Sequence, residues 1–259
     1  MNTKPKDPGT KKNAIAAFSA VVVALLLKFK FALLFGFKLL GLIKIGWIFS
    51  SFGSLFISFG FYTMLYGWPF AVTIIALLYI HEMGHYVWMK ALHLNPKAPV
   101  FVPGLGAYVA MTNMPATQKD SAWVAMAGPL VGGVASAMAY YWGIKTDNQW
   151  LMKSGSTGFF LNLFQLIPAK PFDGGFIAQA LSKWILIPGT LTLIFISFAF
   201  HSIFLLIISL VSILQIVTLF RPQTVSTIQP ASISEKALIT IAYLSVTGML
   251  GYLFYLSKY

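Results

Sequence analysis

Apolar runs of membrane-spanning length recur along this chain, and they constrain its fold more than any other feature. They occupy about residues 45–66, 70–90, 121–142, 157–183, 186–201, 203–220 and 237–257. A helix needs about 20 apolar residues to cross the hydrocarbon core of a bilayer, where every backbone polar group must find its partner inside the protein. Composition agrees. Of the 259 residues, 58% are hydrophobic and 9% charged, whereas soluble domains carry about 25% charged residues. The expected fold is an all-α polytopic membrane protein with about six to eight transmembrane helices.

Two segments depart from simple helix. The fourth run is interrupted by Pro168, Pro171 and the pair Gly174-Gly175. Proline removes a backbone donor and glycine loosens a helix, so this span is expected to be broken. Between the second and third runs, residues 98–111 place β-branched and aromatic residues around Pro103-Gly104-Leu105-Gly106. That pattern signals a small β-hairpin.

Ahead of the runs, residues 1–13 are polar, and residues 14–44 are apolar but carry Lys28, Lys30, Lys38 and Lys44. Interfacial helices with snorkelling lysines have this pattern. Residues 14–27 are short for a span, and a short crossing there is the alternative to an interfacial helix. The pair Lys11-Lys12 before them resembles the start of a signal peptide. Lys28-Phe29-Lys30 follows in place of a small-residue cleavage site, so the segment is read as retained. The organisation expected is a basic tail with interfacial helices over 1–44, a core over 45–220, and a loop with the last transmembrane helix over 221–259.

The net charge of +12 arises from 18 basic and 6 acidic residues. A nucleic-acid binder gathers such charge on a polar domain. Here the lysines flank apolar runs, so they read as contacts to membrane lipids and as topology signals, and no nucleic-acid partner is expected. With a cytoplasmic N-terminus, Lys90, Lys97, Lys119, Lys183, Arg221 and Lys236 share that side, and Lys145, Lys153 and Lys258 lie on the other. The chain has no cysteine, which excludes disulfides, thiolate ligands and cysteine nucleophiles.

Within the second run stands His81-Glu82-Met83-Gly84-His85. Residues four apart share one helix face, so two imidazoles here can grip one zinc ion, with Glu82 beside its water as general base. With 4 His and 2 Glu in 259 residues, chance yields this spacing at roughly 5 in 10,000. An ionisable residue in mid-span costs about 2.5–3.5 kcal/mol on insertion scales, which marks these residues as functional. The alternative is a hydrogen-bonded polar cluster that packs helices together.

A catalytic zinc site takes three protein ligands and keeps one position open. One soluble pattern has a further His where this chain has Ala91. Glu235 lies in a polar stretch, and His93 and His201 sit at the ends of runs, where a headgroup-facing role suffices. Of the six acids, only Glu82 and Asp173 fall inside apolar runs. Buried carboxylates and imidazoles together suit a dication, so Asp173 is the expected third ligand. Its other possible role is to cap a half-helix.

These residues carry a resemblance. His81-Glu-Met-Gly-His85, joined to a downstream Pro168-x-x-x-x-Asp173-Gly in a broken span, resembles the site-2 protease family of intramembrane metalloproteases. Ala127-Gly128-Pro129-Leu130 resembles the small-residue motif of that family's next helix, and Phe101–Met111 its re-entrant hairpin. The resemblance covers about residues 45–220 and implies that Asp173 is the third zinc ligand. It also implies that the hairpin, through Gly106, Tyr108 and Val109, offers an edge strand to transmembrane protein substrates.

The family pattern has Asn where this chain has Gln165, and Asn162 lies one turn earlier; either carboxamide is a candidate for positioning substrate. The loop 92–120 is too short for a PDZ domain, and no soluble module follows the last run, so the form expected is compact, without PDZ or CBS modules. The expected location is a multi-pass position in a prokaryotic cell membrane. A transporter or an inactive metal-binding scaffold is the competing reading, since broken helices and buried acids also occur in transporters. A glutamate set against zinc-bound water argues for hydrolysis.

Overall fold

The structure, a computed structural model, describes residues 51–104, 106–220 and 228–258. The expectations for residues 1–44, including the segment 14–27, lie outside them. The described residues from Leu55 onward belong to one compact unit. Among the described residues are eight α-helices, one short 3-10 helix (Lys183–Ile185) and one two-stranded antiparallel sheet. In order the α-helices and strands are α1 (Ser51–Tyr66), α2 (Trp68–Ala91), β1 (Val100–Val102), β2 (Gly106–Tyr108), α3 (Gln118–Lys145), α4 (Gln149–Gln165), α5 (Asp173–Leu181), α6 (Leu186–Ala199), α7 (Ile203–Phe220) and α8 (Ile233–Leu256). Among the described residues, α2, α3, α7 and α8 are long and apolar enough to cross a membrane. The all-α membrane fold with a small hairpin is thus observed.

Capping residues set helix starts that apolar runs alone misplace. Thr117 accepts from the Asp120 N–H and starts α3 three residues before its apolar run. Asn148 accepts from the N–H groups of Trp150 and Leu151, so α4 starts at Gln149 and not near 157. Ser232 and Glu235 form a reciprocal capping box at the head of α8.

The broken span is observed between α4 and α5, and its glycines act differently from the expectation. Gly174 and Gly175 are helical, in the first turn of α5. A Cβ on Gly174 would stand 2.2 Å from the Leu166 carbonyl oxygen, and one on Gly175 would stand 2.6 Å from the backbone of Ala169 and Lys170. They therefore let α5 fold back against the break. Backbone groups freed there are recovered locally: Phe172 N–H donates to the Ala169 carbonyl, and the Tyr243 hydroxyl donates to the Leu166 carbonyl at 2.5 Å.

In the bundle α3 is central, packed on α2, α4, α5 and α8. One apolar cluster joins Met126, Phe159, Leu166, Ile177, Ile239 and Leu250 from these helices. A second, of Ala169, Phe172, Leu193 and Ile208, seats the break against α6 and α7. Half of the most apolar window of α2 is buried (50%), against 11% for α7, as expected of an interior helix and a lipid-facing one. The heads of α3 and α8 meet through a Lys119–Glu235 ion pair at 3.0 Å. Ser257 just after α8 meets Ser156 of α4 at 2.8 Å.

Small residues permit the closest crossings, as is usual where lipid supplies no hydrophobic drive between helices. At the α3–α4 crossing, a Cβ on Gly155 would lie 2.6 Å from the Tyr140 Cβ and 2.7 Å from the Ser136 carbonyl oxygen. Gly155→Val is expected to destabilise the protein by about 1–3 kcal/mol, the scale of overpacking. Thermal unfolding in detergent checks this, and an unchanged midpoint would contradict so close a crossing.

Candidate metal centre

One turn of α2 places His81 and His85 on the same face, both buried, with Nε2 atoms 3.1 Å apart. The break between α4 and α5 delivers Asp173 to that pair. Its Oδ2 lies 3.1 Å from His81 Nε2 and 3.4 Å from His85 Nε2. Asp173 is the first residue of α5 and does not cap it, since Phe172 holds the cap position without a side-chain bond. The three ligand atoms lie within 4.8 Å of one another, and among the described residues no other such group of His, Asp and Glu occurs.

The outer nitrogens fix where the protons sit. Asn162 donates its Nδ2 to the Gly158 carbonyl at 2.8 Å, so its Oδ1 faces His81 Nδ1 at 2.8 Å and accepts from it. His85 Nδ1 donates to the Val124 carbonyl at 2.7 Å. In each neutral imidazole the proton therefore sits on Nδ1, and Nε2 presents a lone pair. Two lone pairs and a carboxylate oxygen converge with no proton between them, and Asp173 Oδ2 has no hydrogen-bond partner. That arrangement is repulsive without a cation. Ligand atoms about 2.0–2.1 Å from a tetrahedral zinc stand about 3.3 Å apart, close to the distances here, so the residues fit the ion.

Gly128 of α3 supplies the floor. A Cβ there would lie 2.3 Å from His85 Nε2 and 2.8 Å from His81 Nε2. The small-residue motif read from the sequence thus makes room for the ligand atoms, a role that its composition alone did not reveal.

Glu82 is buried beside the ligands, and its Oε2 has no hydrogen-bond partner. The Val109 backbone N–H lies within hydrogen-bonding reach of the same carboxylate. Local strand geometry explains how. Val100 pairs with Tyr108, and Lys97 N–H donates to the Ala110 carbonyl, leaving Ala98 and Pro99 opposite Val109 alone. Two residues facing one make a β-bulge, where a proline without a donor is tolerated.

Two cavities meet at this centre. One, of about 490 Å³, is lined by His81, Glu82, His85 and Asp173 together with Tyr108, Val109, Gln165 and Lys170. The other, of about 280 Å³, is lined by Gly106, Asn162 and several aromatic side chains, and it shares His81 and Gln165 with the first. Gln165 ends α4 and so reaches both. Asn162, the other carboxamide candidate, is 2% exposed, and its carboxamide bonds His81 and Gly158. His93 and His201 lie outside the cluster, in left-handed conformation (φ 55° and 49°) beyond the ends of α2 and α6.

Residues 69–149 match the family model of peptidase family M50, in agreement with the resemblance read from the sequence. The matched segment holds His81, Glu82 and His85 and ends before Asp173. No curated protein matches the chain significantly. Among solved structures, the site-2 protease from Methanocaldococcus jannaschii is similar at 18% identity and a TM-score of 0.45, covering 67% of this chain and 89% of that one.

Partners that orient ligating imidazoles are typically worth 10–100-fold in metal affinity. Asn162→Leu is accordingly expected to weaken zinc binding by roughly 10–100-fold in chelator competition, whereas Asn162→Asp, which keeps an acceptor, retains it. Equal affinity in the Leu variant would detach Asn162 from the site.

Proposed function

Taking the match to peptidase family M50 over residues 69–149 as premise, we propose that this membrane protein is an intramembrane zinc metalloprotease. It hydrolyses peptide bonds within or near transmembrane segments of membrane-protein substrates. The observation that carries the reading is the buried Glu82 carboxylate, with one unpartnered oxygen, on the wall of the same 490 Å³ cavity as the three converging ligand atoms. A structural polar cluster would pair that oxygen; a general base keeps it available.

His81, His85 and Asp173 are the residues that would hold zinc. The ion supplies Lewis-acid charge, which acidifies water toward a pKa of about 7 and polarises a carbonyl. Glu82 takes the proton of the attacking water on Oε2 and returns it to the leaving amine nitrogen. The Val109 N–H steadies the other side of the carboxylate. Gln165, facing both cavities, offers its amide N–H groups to the developing oxyanion.

A transmembrane helix keeps its carbonyls in backbone hydrogen bonds, so substrate must unwind before attack. β2 provides the replacement partners. Gly106 lines the smaller cavity, and Tyr108 and Val109 line the larger, so a strand laid along β2 runs past the metal centre. Strand addition satisfies the freed groups and holds the scissile bond extended.

Glu82→Gln is expected to retain zinc while losing about 10²–10⁴ in hydrolysis rate on a membrane-spanning reporter. Cleavage at the rate of the unsubstituted protein would overturn the mechanism.

A further inference from the structure

Lys170 is a cation in the break between α4 and α5, and the mechanism above does not use it. It is half-buried and lines the larger cavity together with Glu82 and Asp173. Its ammonium stands over the Phe176 ring at 4.6 Å, and Phe176 lines the same cavity. Among the described residues no carboxylate pairs with it: Asp173 faces the two imidazoles, Glu235 pairs with Lys119, and Asp120 accepts from Thr117.

The backbone that carries Lys170 is closely packed. Its amide nitrogen lies 2.6 Å from where a Cβ on Gly175 would stand, and Pro171 restricts its conformation from the other side. A lysine meant only to reach headgroups needs a long free arm. This one rests on a ring of the cavity wall, on a backbone packed closely against Gly175. A loaded cavity would hold two carboxylates against a dication and this ammonium, so its net charge is positive, and three ammonium donors face a space where substrate must lie.

We propose that Lys170 is a specificity-determining residue that selects substrates with an acidic side chain close to the scissile bond. This inference rests on the proteolytic reading of the site. An aspartate or glutamate on the bound strand makes a charge-assisted hydrogen bond with Lys170, stronger than a neutral bond and partly shielded from water. A basic side chain at that point meets like charge and is rejected.

The test uses membrane-spanning reporters that carry Glu, Gln or Lys in turn at each of the three positions on either side of the scissile bond. They are cleaved by the full-length protein and by Lys170→Met and Lys170→Glu variants of confirmed zinc content. At one or more positions, kcat/KM is expected to favour Glu over Gln by about tenfold or more, the scale of a charge-assisted bond. The ratio falls to about one in Lys170→Met, and the preference passes to the Lys reporter in Lys170→Glu. Ratios that stay the same in all three proteins, or an equal loss on every reporter, overturn the proposal; the latter is the mark of a lipid anchor. Fluorescence anisotropy of the same reporters on the Glu82→Gln protein reads the preference without turnover. A Glu preference in binding that vanishes with Lys170→Met sustains the role of Lys170 even where hydrolysis fails and the proteolytic reading falls. Equal binding of all reporters removes it.

Discussion

The approach of Asp173 to the His81–His85 pair, at 3.1 and 3.4 Å, is the interaction around which the rest of the bundle is arranged. It joins a continuous helix to the far side of a broken one, among buried side chains. An isolated carboxylate there is strongly disfavoured; facing two imidazole lone pairs it calls for a cation. The break between α4 and α5 exists in the form that brings this about. Pro168 and Pro171 interrupt the helix, the Tyr243 hydroxyl takes up a freed carbonyl, and Gly174 and Gly175 let α5 return closely enough to aim its first residue at α2.

The same centre depends on α3, which offers no ligand. Its Val124 carbonyl orients His85, and its Gly128 leaves the space that the two Nε2 atoms occupy. The helix that carries Asn162 then sets His81. Each imidazole thus has its outer nitrogen tied to a neighbouring helix, so a shift of helix packing is a shift of metal geometry. The lipid-facing helices α7 and α8 bear less of this burden: α7 closes the smaller cavity through Phe204 and Ile208, and α8 holds the break through Tyr243.

Much of the site was readable from spacing. His81 and His85 are four apart, and only one helix face results. Asp173 followed from counting acids inside apolar runs, and the break from its prolines. What escaped was whatever depends on which helix faces which. Asn162 and Gln165 are three apart and nearly equivalent in sequence, but packing turns Asn162 onto His81 and leaves Gln165 at the cavities. Gly174-Gly175 read as helix loosening because glycine has two uses, and only the nearby Leu166 carbonyl tells them apart. The early start of α4 was written in Asn148, a capping residue outside the apolar run that drew attention. The bulge at Val109 needs the strand register, which no single strand contains.

His81, His85 and Asp173 are proposed to hold one zinc ion. X-ray absorption at the zinc edge of purified protein tests it most directly. The expected result is one zinc per chain with a first shell of nitrogen and oxygen at about 2.0–2.1 Å, two imidazoles among its scatterers, and loss of an imidazole signal in His85→Ala. Protein that binds no zinc after metal loading, or zinc whose spectrum is the same with and without His85, would contradict it.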